Sequence, residues 1–366
     1  MKKNTATHWP DIAIIGSYPP PYGGISVHLQ RFVDYLECEA VDYILYNTVS
    51  SAEEQYRVVS VAKHRVAWFF KFLLCHQYKI VHLVSVNWFG RVLFGIAASC
   101  RSGKYLLSIH GKSITEQLLS KNRVRAFVTK WLLRRMDAVI ACNSDIARDC
   151  IVLAGVPKDK VQTIPAFISP SLDQNNRLPD YIQDYIASHS PVLSAVGWIG
   201  KIHMGYDLYG IDMMVQLLKR LKKDYPRIGL ILSVNGGDES AIQQMVKDSR
   251  LSVGDSMLFV TESLKEFAPL AALTHLFLRP TNTDGDAVSI RESMFVSTPV
   301  VASDATLRPE PCVLFANRNM DDFELKVRKA LSELDILKMR LANCTVGDNA
   351  GQILKLYRDL MKGSLQ

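Results

Sequence analysis

Apolar residues fall into short unbroken runs of strand length, separated by longer stretches with helical spacing. Asp11 to Gly16, DIAIIG, is the first run. It enters a Pro- and Gly-rich loop, Ser17 to Gly24, after which Ile25 to Leu36 reads as a helix. Val41 to Asn47, Lys79 to Val86, Lys104 to His110, Asp137 to Asn143 and Val161 to Pro165 are further strand-like runs. Among them, Val61 to Tyr78 and Lys121 to Arg135 read as helices, and Ser144 stands as the N-cap of another. The alternation lapses in Phe167 to Pro191, which is polar and punctuated by prolines. It resumes with strands at Val192 to Gly197, Ile228 to Asn235 and Met257 to Thr261, and helices at Ile211 to Tyr225, Ser240 to Ser249 and Leu264 to Leu273. Asp321 to Ala342 holds one or two helices, and Ile353 to Lys362 a last amphipathic one. Continuous apolar strands alternating with helices predict parallel sheets buried on both faces. Two such series predict an α/β protein of two domains. The expected boundaries are 1–170, a linker at 171–190, a second domain at 191–348 and a final helical segment at 349–366.

The stretch Leu276 to Asp304 is the most specific. The strand Leu276 to Leu278 stops at Arg279-Pro280; a polar loop, Thr281 to Asp286, leads to a helix carrying Val288, Ile290 and Met294; Pro299 to Ser303 is the next strand. A loop at the carboxyl end of a parallel strand, followed by a helix start with unpaired N–H groups, suits a diphosphate. Asp284 and Glu292, with seven residues between them, are placed to accept hydrogen bonds from sugar or ribose hydroxyls. Arg279 and Arg291 are nearby cations. The same residues also suit a plainer part, with Asp284 and Asp286 as turn and cap residues and Arg291 and Glu292 on a solvated helix face.

Composition narrows the class. The chain has 366 residues, 48% hydrophobic and 22% charged, as a folded protein of two ordinary domains would. Seven scattered cysteines without a CxxC pair support neither a disulfide framework nor a zinc site, and point to a reducing cytosol. The N-terminus lacks the pattern of a signal peptide, and no uncharged apolar stretch is long enough to span a bilayer. The net charge of +7 is concentrated: Arg57 to Arg135 holds 15 Lys and Arg against the single acid Glu116. No nucleic-acid-binding motif accompanies this block. An anionic membrane face is the better partner, with Val61 to Tyr78 and Lys121 to Arg135 as candidate surface helices. Their apolar faces could instead pack on the sheet while Lys and Arg reach water.

Asp284, seven residues, Glu292 and then Pro299-Val300-Val301 resemble the signature of the retaining glycosyltransferases of family 4, which have the GT-B fold. The resemblance covers nearly the whole chain, and its specific part is Arg279 to Asp304. It implies two Rossmann-like domains with parallel sheets facing an interdomain cleft, and a final helix crossing back to the first domain. It implies transfer of a sugar, with retained configuration, from a nucleotide-diphospho-sugar such as a UDP- or GDP-sugar. The leaving phosphate would take the proton of the acceptor hydroxyl as the new glycosidic bond forms. By the same resemblance His110 and Asp284 contact the transferred sugar. Glu292 holds the ribose. Gly23, Gly24, Gly285, Asp286 and Ala287 line the diphosphate, and Thr261 and Glu262 seat the base. Asp286-Ala287 replaces the family's aromatic-glycine pair, Trp198 stands where it has an Arg, and Tyr209 where it has a Lys. Lys201, His203, Arg279 and Arg291 are candidate substitutes for those cations. No metal or other cofactor is expected. The acceptor implied is a lipid-linked glycan at the cytoplasmic membrane face, in cell-surface polysaccharide synthesis of the lipopolysaccharide or capsule type. A nucleotide-sugar-binding protein without transferase activity, and a sugar-nucleotide epimerase of the same fold, are the alternatives.

Overall fold

A computed structural model describes residues 10–20, 22–49, 57–84, 87–100, 102–170, 177–234, 236–261, 264, 266–344 and 347–363. The chain forms two compact units, Met1–Ile168 with Asp348–Gln366, and Ser169–Gly347.

The first unit is a seven-stranded sheet: β1 Ile12–Gly16, β2 Tyr43–Asn47, β3 Val58–Ser60, β4 Ile80–Val84, β5 Lys104–Ile109, β6 Ala138–Ala141 and β7 Val161–Thr163. Every neighbouring pair is parallel, in the order β3-β2-β1-β4-β5-β6-β7. β1 and β4 are buried at every position, as strands covered on both faces must be. The order reverses between β1 and β4, which makes the loop after β1 a switch-point loop where ligands of such sheets bind.

One face is covered by α1 Gly24–Cys38 and by the C-terminal helix Asn349–Lys362, through Phe32, Leu36, Ile353 and Tyr357. Asn349 Nδ2 donates to Phe167 O at 2.7 Å, tying this helix to the chain just before the unit ends. On the other face lie α2 Arg65–Cys75 and α3 Trp88–Cys100, with His76 and Phe94 both against Tyr105. Beyond α4 Ser113–Leu118, α5 Arg123–Arg135 packs on α3, where Gly95 leaves room for Leu132 and Trp131. α6 Ser144–Val152 is capped by Asn143, which accepts from Ile146 N at 2.9 Å. The expected cap, Ser144, is instead the first helical residue. The helix expected over 61–78 is a 3-10 turn at Ala62–His64 followed by the shorter α2.

The second unit opens with α7 Asp180–Ser188, inside the stretch expected to be linker. Its Ile182 and Tyr185 are buried, together with Leu178, in a core shared with Phe267, Phe277 and Ile290. The strands are β8 Val192–Gly197, the hairpin β9 Ile202–His203 and β10 Tyr206–Asp207, β11 Gly229–Val234, β12 Met257–Val260, β13 Leu276–Arg279, β14 Val300–Ser303 and β15 Val313–Phe315. Six of them form a parallel sheet in the order β12-β11-β8-β13-β14-β15. Here the order reverses between β8 and β13. Its helices are α8 Ile211–Leu221, α9 Glu239–Asp248, α10 Ala268–Ala272, α11 Val288–Phe295, α12 Met320–Ser332 and α13 Leu334–Ala342. α8 and α12 bury Met214, Leu218, Phe323 and Val327 in the larger of the unit's two cores.

Candidate active site

The residues singled out in the sequence lie at the carboxyl edges of both sheets, most of them on switch-point loops. In the second unit, β8 leads into Trp198 to Gly210 and β13 into Pro280 to Ala287, side by side in the sheet. Gly210 has φ 68°, and a Cβ there would lie 2.3 Å from Pro280 O, so only glycine lets the two loops meet. The first loop is the hairpin, turned by Met204 and Gly205 at φ 50° and 82° as a tight two-residue turn requires. Asn282 pins it to the second loop: its Nδ2 donates to His203 O at 3.2 Å, and its backbone N–H to Leu208 O at 3.1 Å.

Asp284 is the hub of the second loop. Its Oδ2 accepts from Arg279 Nε at 3.0 Å, Arg308 Nη1 at 3.0 Å and Thr281 Oγ1 at 3.3 Å, and its Oδ1 from Gly285 N at 3.1 Å. Burial works to raise the Asp284 carboxyl, but the two guanidiniums overcome it and hold the group well below the ordinary carboxylate range. Arg279 also donates to Val196 O at 3.2 Å and stacks over Tyr209, 5.3 Å from the ring centre. Tyr209, at the family's lysine position, is thus a platform for an arginine supplied by the neighbouring strand. Arg308, with a side chain only 1% exposed, donates to Ser303 O at 3.1 Å and Thr281 Oγ1 at 2.7 Å. The sequence reading missed Arg308. Its signal was a lone arginine just past β14, beside a strand ending in an acid-bearing loop.

Asp286 and Arg291 form a separate pair, with Arg291 Nε 2.7 and 2.9 Å from the two carboxylate oxygens. Ala287 is the N-cap residue of α11, and both Ala287 and Glu292 are buried. The solvated face considered for Glu292 is therefore excluded. Lys201 Nζ lies 3.9 Å from the centre of the Trp198 ring, and partial burial lowers its pKa. Trp198 itself stacks against Gly236, where a Cβ would come within 2.8 Å of the indole. Thr261 is exposed at the end of β12, on the sheet's edge, and Glu262 lies outside the described residues. Two buried oxygens, Asn282 Oδ1 and Thr306 Oγ1, have no partner among the described residues. No group of His, Cys, Asp and Glu among the described residues is placed to hold a metal ion.

In the first unit, the loop after β1 ends at Gly23, and α1 begins at Gly24. The Gly23 N–H is engaged by Ser26 Oγ at 2.9 Å, so the amides facing an incoming anion begin at Gly24. His110 follows β5, and both its ring nitrogens are buried without a partner among the described residues. Burial, with His28, His82 and Arg91 nearby, drives its pKa well below the usual imidazole range, so the ring is neutral. His28 lies against it with ring centres 4.7 Å apart.

The family described as "Glycosyl transferase 4-like domain" matches residues 46–166, and that described as "Glycosyl transferases group 1" matches 194–333. Its two domains are glycosyltransferase domains of the GT-B fold. Solved structures agree on the fold over nearly the whole chain. A sucrose-phosphate synthase from Thermosynechococcus elongatus superposes with TM-score 0.72 at 16% identity, covering 96% of this chain and 99% of its own. Anabaena Alr3699/HepE, solved in complex with UDP-glucose, gives 0.69 at 14% identity, covering 97% and 99%. WaaG, a glycosyltransferase involved in lipopolysaccharide biosynthesis, gives 0.58 at 12% identity, covering 96% and 98%. No curated protein is detectably similar in sequence. For this GT-B glycosyltransferase, identities so low carry the fold and no particular substrate.

Proposed function

We propose that this chain is a retaining glycosyltransferase that takes its sugar from a nucleotide-diphospho-sugar, a UDP- or GDP-sugar, and needs no metal. What supports this reading is that Lys201 lies on the loop after β8, while the α11 start, with the buried Glu292 one turn further on, follows the loop after β13, and these two strands flank the sheet's switch point. Glu292 holds the ribose, the α11 start and Lys201 face the diphosphate, and His110 touches the transferred sugar. As the bond from the anomeric carbon to the phosphate oxygen breaks, the acceptor hydroxyl bonds to that carbon on the same face. Its proton passes to the departing phosphate, and the cation and helix start stabilise the charge that develops there.

The acceptor in this reading is a lipid-linked glycan at the inner membrane face, in cell-surface polysaccharide synthesis. Its support is the outer surface of α2, α3 and α5. Val66, Phe70 and Leu74 on α2, Phe89 on α3, and Val124 and Phe127 on α5 are each more than half exposed. Lys71, Lys121, Arg123, Arg125, Arg134 and Arg135 lie on or next to the same helices. Arg57, Lys79, Arg91 and Lys104, from the same basic block, instead have partners inside the unit. No helix among the described residues is long and apolar enough to cross a membrane. Exposed apolar side chains on helices that also carry cations suit an anionic lipid surface.

A thermal-shift panel of nucleotides and nucleotide sugars tests the donor, because a ligand that binds the native state stabilises it. Glu292→Ala should abolish the shift for the correct donor; an unchanged shift would remove Glu292 from the site. Transfer to an extracted lipid-linked acceptor, with the product anomer read by NMR, tests the chemistry. A second reading has one specific observation behind it: Asp284 is committed to Arg279 and Arg308 rather than held open for a sugar. A nucleotide-sugar-binding protein without activity would show the thermal shift but neither transfer nor donor hydrolysis. An epimerase would convert donor with no acceptor present.

A further inference from the structure

Among the histidines of the first unit, His28, His82 and His110 lie near one another, and their hydrogen bonds separate them. His82 is satisfied at both nitrogens, with Nε2 2.7 Å from Ser108 Oγ and Nδ1 2.5 Å from Tyr357 Oη. His28 is equally deep, 2% exposed, but satisfied at one nitrogen only. Its Nδ1 lies 2.6 Å from Ala166 O. A carbonyl oxygen only accepts, so Nδ1 carries the proton and Nε2 presents a bare lone pair. Among the described residues, that Nε2 has no partner, and neither has either nitrogen of His110 beside it. Buried polar atoms left this way are rare and call for an explanation. Space is open at the two neighbouring glycines: a Cβ added at Gly23, the N-cap of the helix bearing His28, or at Gly111, next to His110 in the chain, meets nothing within 4 Å.

We propose that His28 is a second sugar-contacting residue, whose Nε2 accepts a hydrogen bond from a hydroxyl of the transferred sugar beside His110. The inference rests on the donor reading above and adds a contact to it. The ligand chemistry follows from charge and from donor count. Both rings are neutral, since burial takes His28 down to about pH 4 and drives His110 well below its usual range. A phosphate offers only acceptor oxygens to the Nε2 lone pair, whereas a sugar hydroxyl donates to it and still accepts from a neighbouring N–H. The neutral pair therefore favours a polyol over an anion. A sugar lacking the hydroxyl would leave the nitrogen unpaired again, which makes His28 a determinant of which sugar is accepted.

The test separates the sugar from the nucleotide. Thermal shifts are measured with UDP and GDP, and with their glucose, galactose, N-acetylglucosamine and mannose conjugates. The sugar increment is the shift of a conjugate beyond that of its nucleotide. In His28→Asn the amide N–H replaces Nδ1–H toward Ala166 O, while the Nε2 acceptor is removed. We expect the nucleotide shift to persist, the sugar increment to vanish and kcat/KM for transfer to fall about tenfold or more. His28→Gln, which returns an oxygen near the Nε2 position, should restore part of the increment. Imidazole 15N spectra of the unmodified protein supply a readout free of folding effects. The His28 Nε2 resonance should be that of an unprotonated nitrogen, and should move with the conjugate and not with the nucleotide. A full sugar increment in His28→Asn, or an Nε2 resonance indifferent to the conjugate, overturns the inference and leaves the donor reading standing. An unmodified protein stabilised by no nucleotide or conjugate of the panel overturns both.

Discussion

At the carboxyl edge of the first sheet the titratable groups are imidazoles kept neutral; at that of the second they are carboxylates and guanidiniums kept charged. Burial acts on both, and the partners decide the outcome. His28, His82 and His110 have no acid beside them, so desolvation prevails and the charged form is suppressed. Asp284 is also buried, yet Arg279 and Arg308 reverse the effect. The first edge suits a polyol, and the second an ionic ligand together with the scaffold that positions it. The two edges should also respond oppositely to mutation, acid and salt.

The largest effect should come from breaking the charged cluster. Arg308→Met leaves Asp284 with one guanidinium and Thr281 Oγ1 with one donor fewer. Removing one partner of a buried ion pair typically costs about 3–5 kcal/mol. We expect the second unit's unfolding midpoint to fall by that order in chemical denaturation, read by hydrogen exchange so that each unit is followed separately. A loss below about 1 kcal/mol, the range of surface pairs, would show that the cluster is not a structural hub.

Acid should distinguish the edges next. A histidine with a folded pKa below its unfolded value favours the native state only while neutral. Stability is then full above about pH 6.5 and is lost as pH falls toward the folded value, about 4 for His28. The loss reaches roughly 3 kcal/mol for such a ring, at about 1.4 kcal/mol per pH unit. Asp284 has the opposite sign relative to its own reference. Its depressed pKa adds stability above about pH 4, which persists until pH falls through its lower folded value. Between pH 6.5 and 4 the first unit should therefore lose exchange protection while the second keeps it. Equal loss in both would contradict the assignment of charge.

Salt and lipid probe the outer layer of the first unit. Phe70 and Phe127 are 57% and 70% exposed, and fully burying an apolar side chain is worth about 1.5–3 kcal/mol. Phe70→Asp with Phe127→Asp should weaken binding to vesicles containing anionic lipid by about 1.5 kcal/mol or more, a tenfold change at the least. Binding of the unmodified protein should fall as salt rises. Equal binding to neutral vesicles at low and high salt would remove the membrane from the account.

The frame was legible in the sequence because parallel strands are buried on both faces and so leave unbroken apolar runs. β1, β4, β5, β8 and β13 were all found that way. β3 and β15, three residues each at sheet edges, left no run that stood out, although β7, equally short, did. The hairpin of β9 and β10 has two residues a side, too few to show alternation. α7 was lost because its polar residues and the flanking Pro179 and Pro191 resemble a linker, while its buried residues find partners only in the folded unit. The candidate site was legible as loops but not as bonds. Asp284 was visible, but its commitment to Arg308, across 24 residues, was not. The unpaired nitrogen of His28 is a property of the fold alone.

The smallest expected effect concerns the diphosphate. Around the two loops Arg279 and Arg308 are bound to Asp284 and Arg291 to Asp286, while Lys201 has a ring beneath it and, among the described residues, no carboxylate. A cation already neutralised by an acid gains little from a phosphate. One stacked on an indole keeps its charge available, and partial burial sharpens its field. Lys201 is therefore our choice for the cation that replaces the family's Arg and Lys at Trp198 and Tyr209. Lys201→Met should weaken nucleotide diphosphate binding by about tenfold, the scale of one hydrogen bond to a charged group, and Lys201→Arg should restore most of it. Arg291→Met should change it much less, because that side chain serves Asp286. Trp198 fluorescence should report the ligand in the unmodified protein and lose that response in Lys201→Met. If Arg291→Met proves the more damaging, the phosphates lie over α11 rather than beneath the hairpin, and the charged edge is read from its other side.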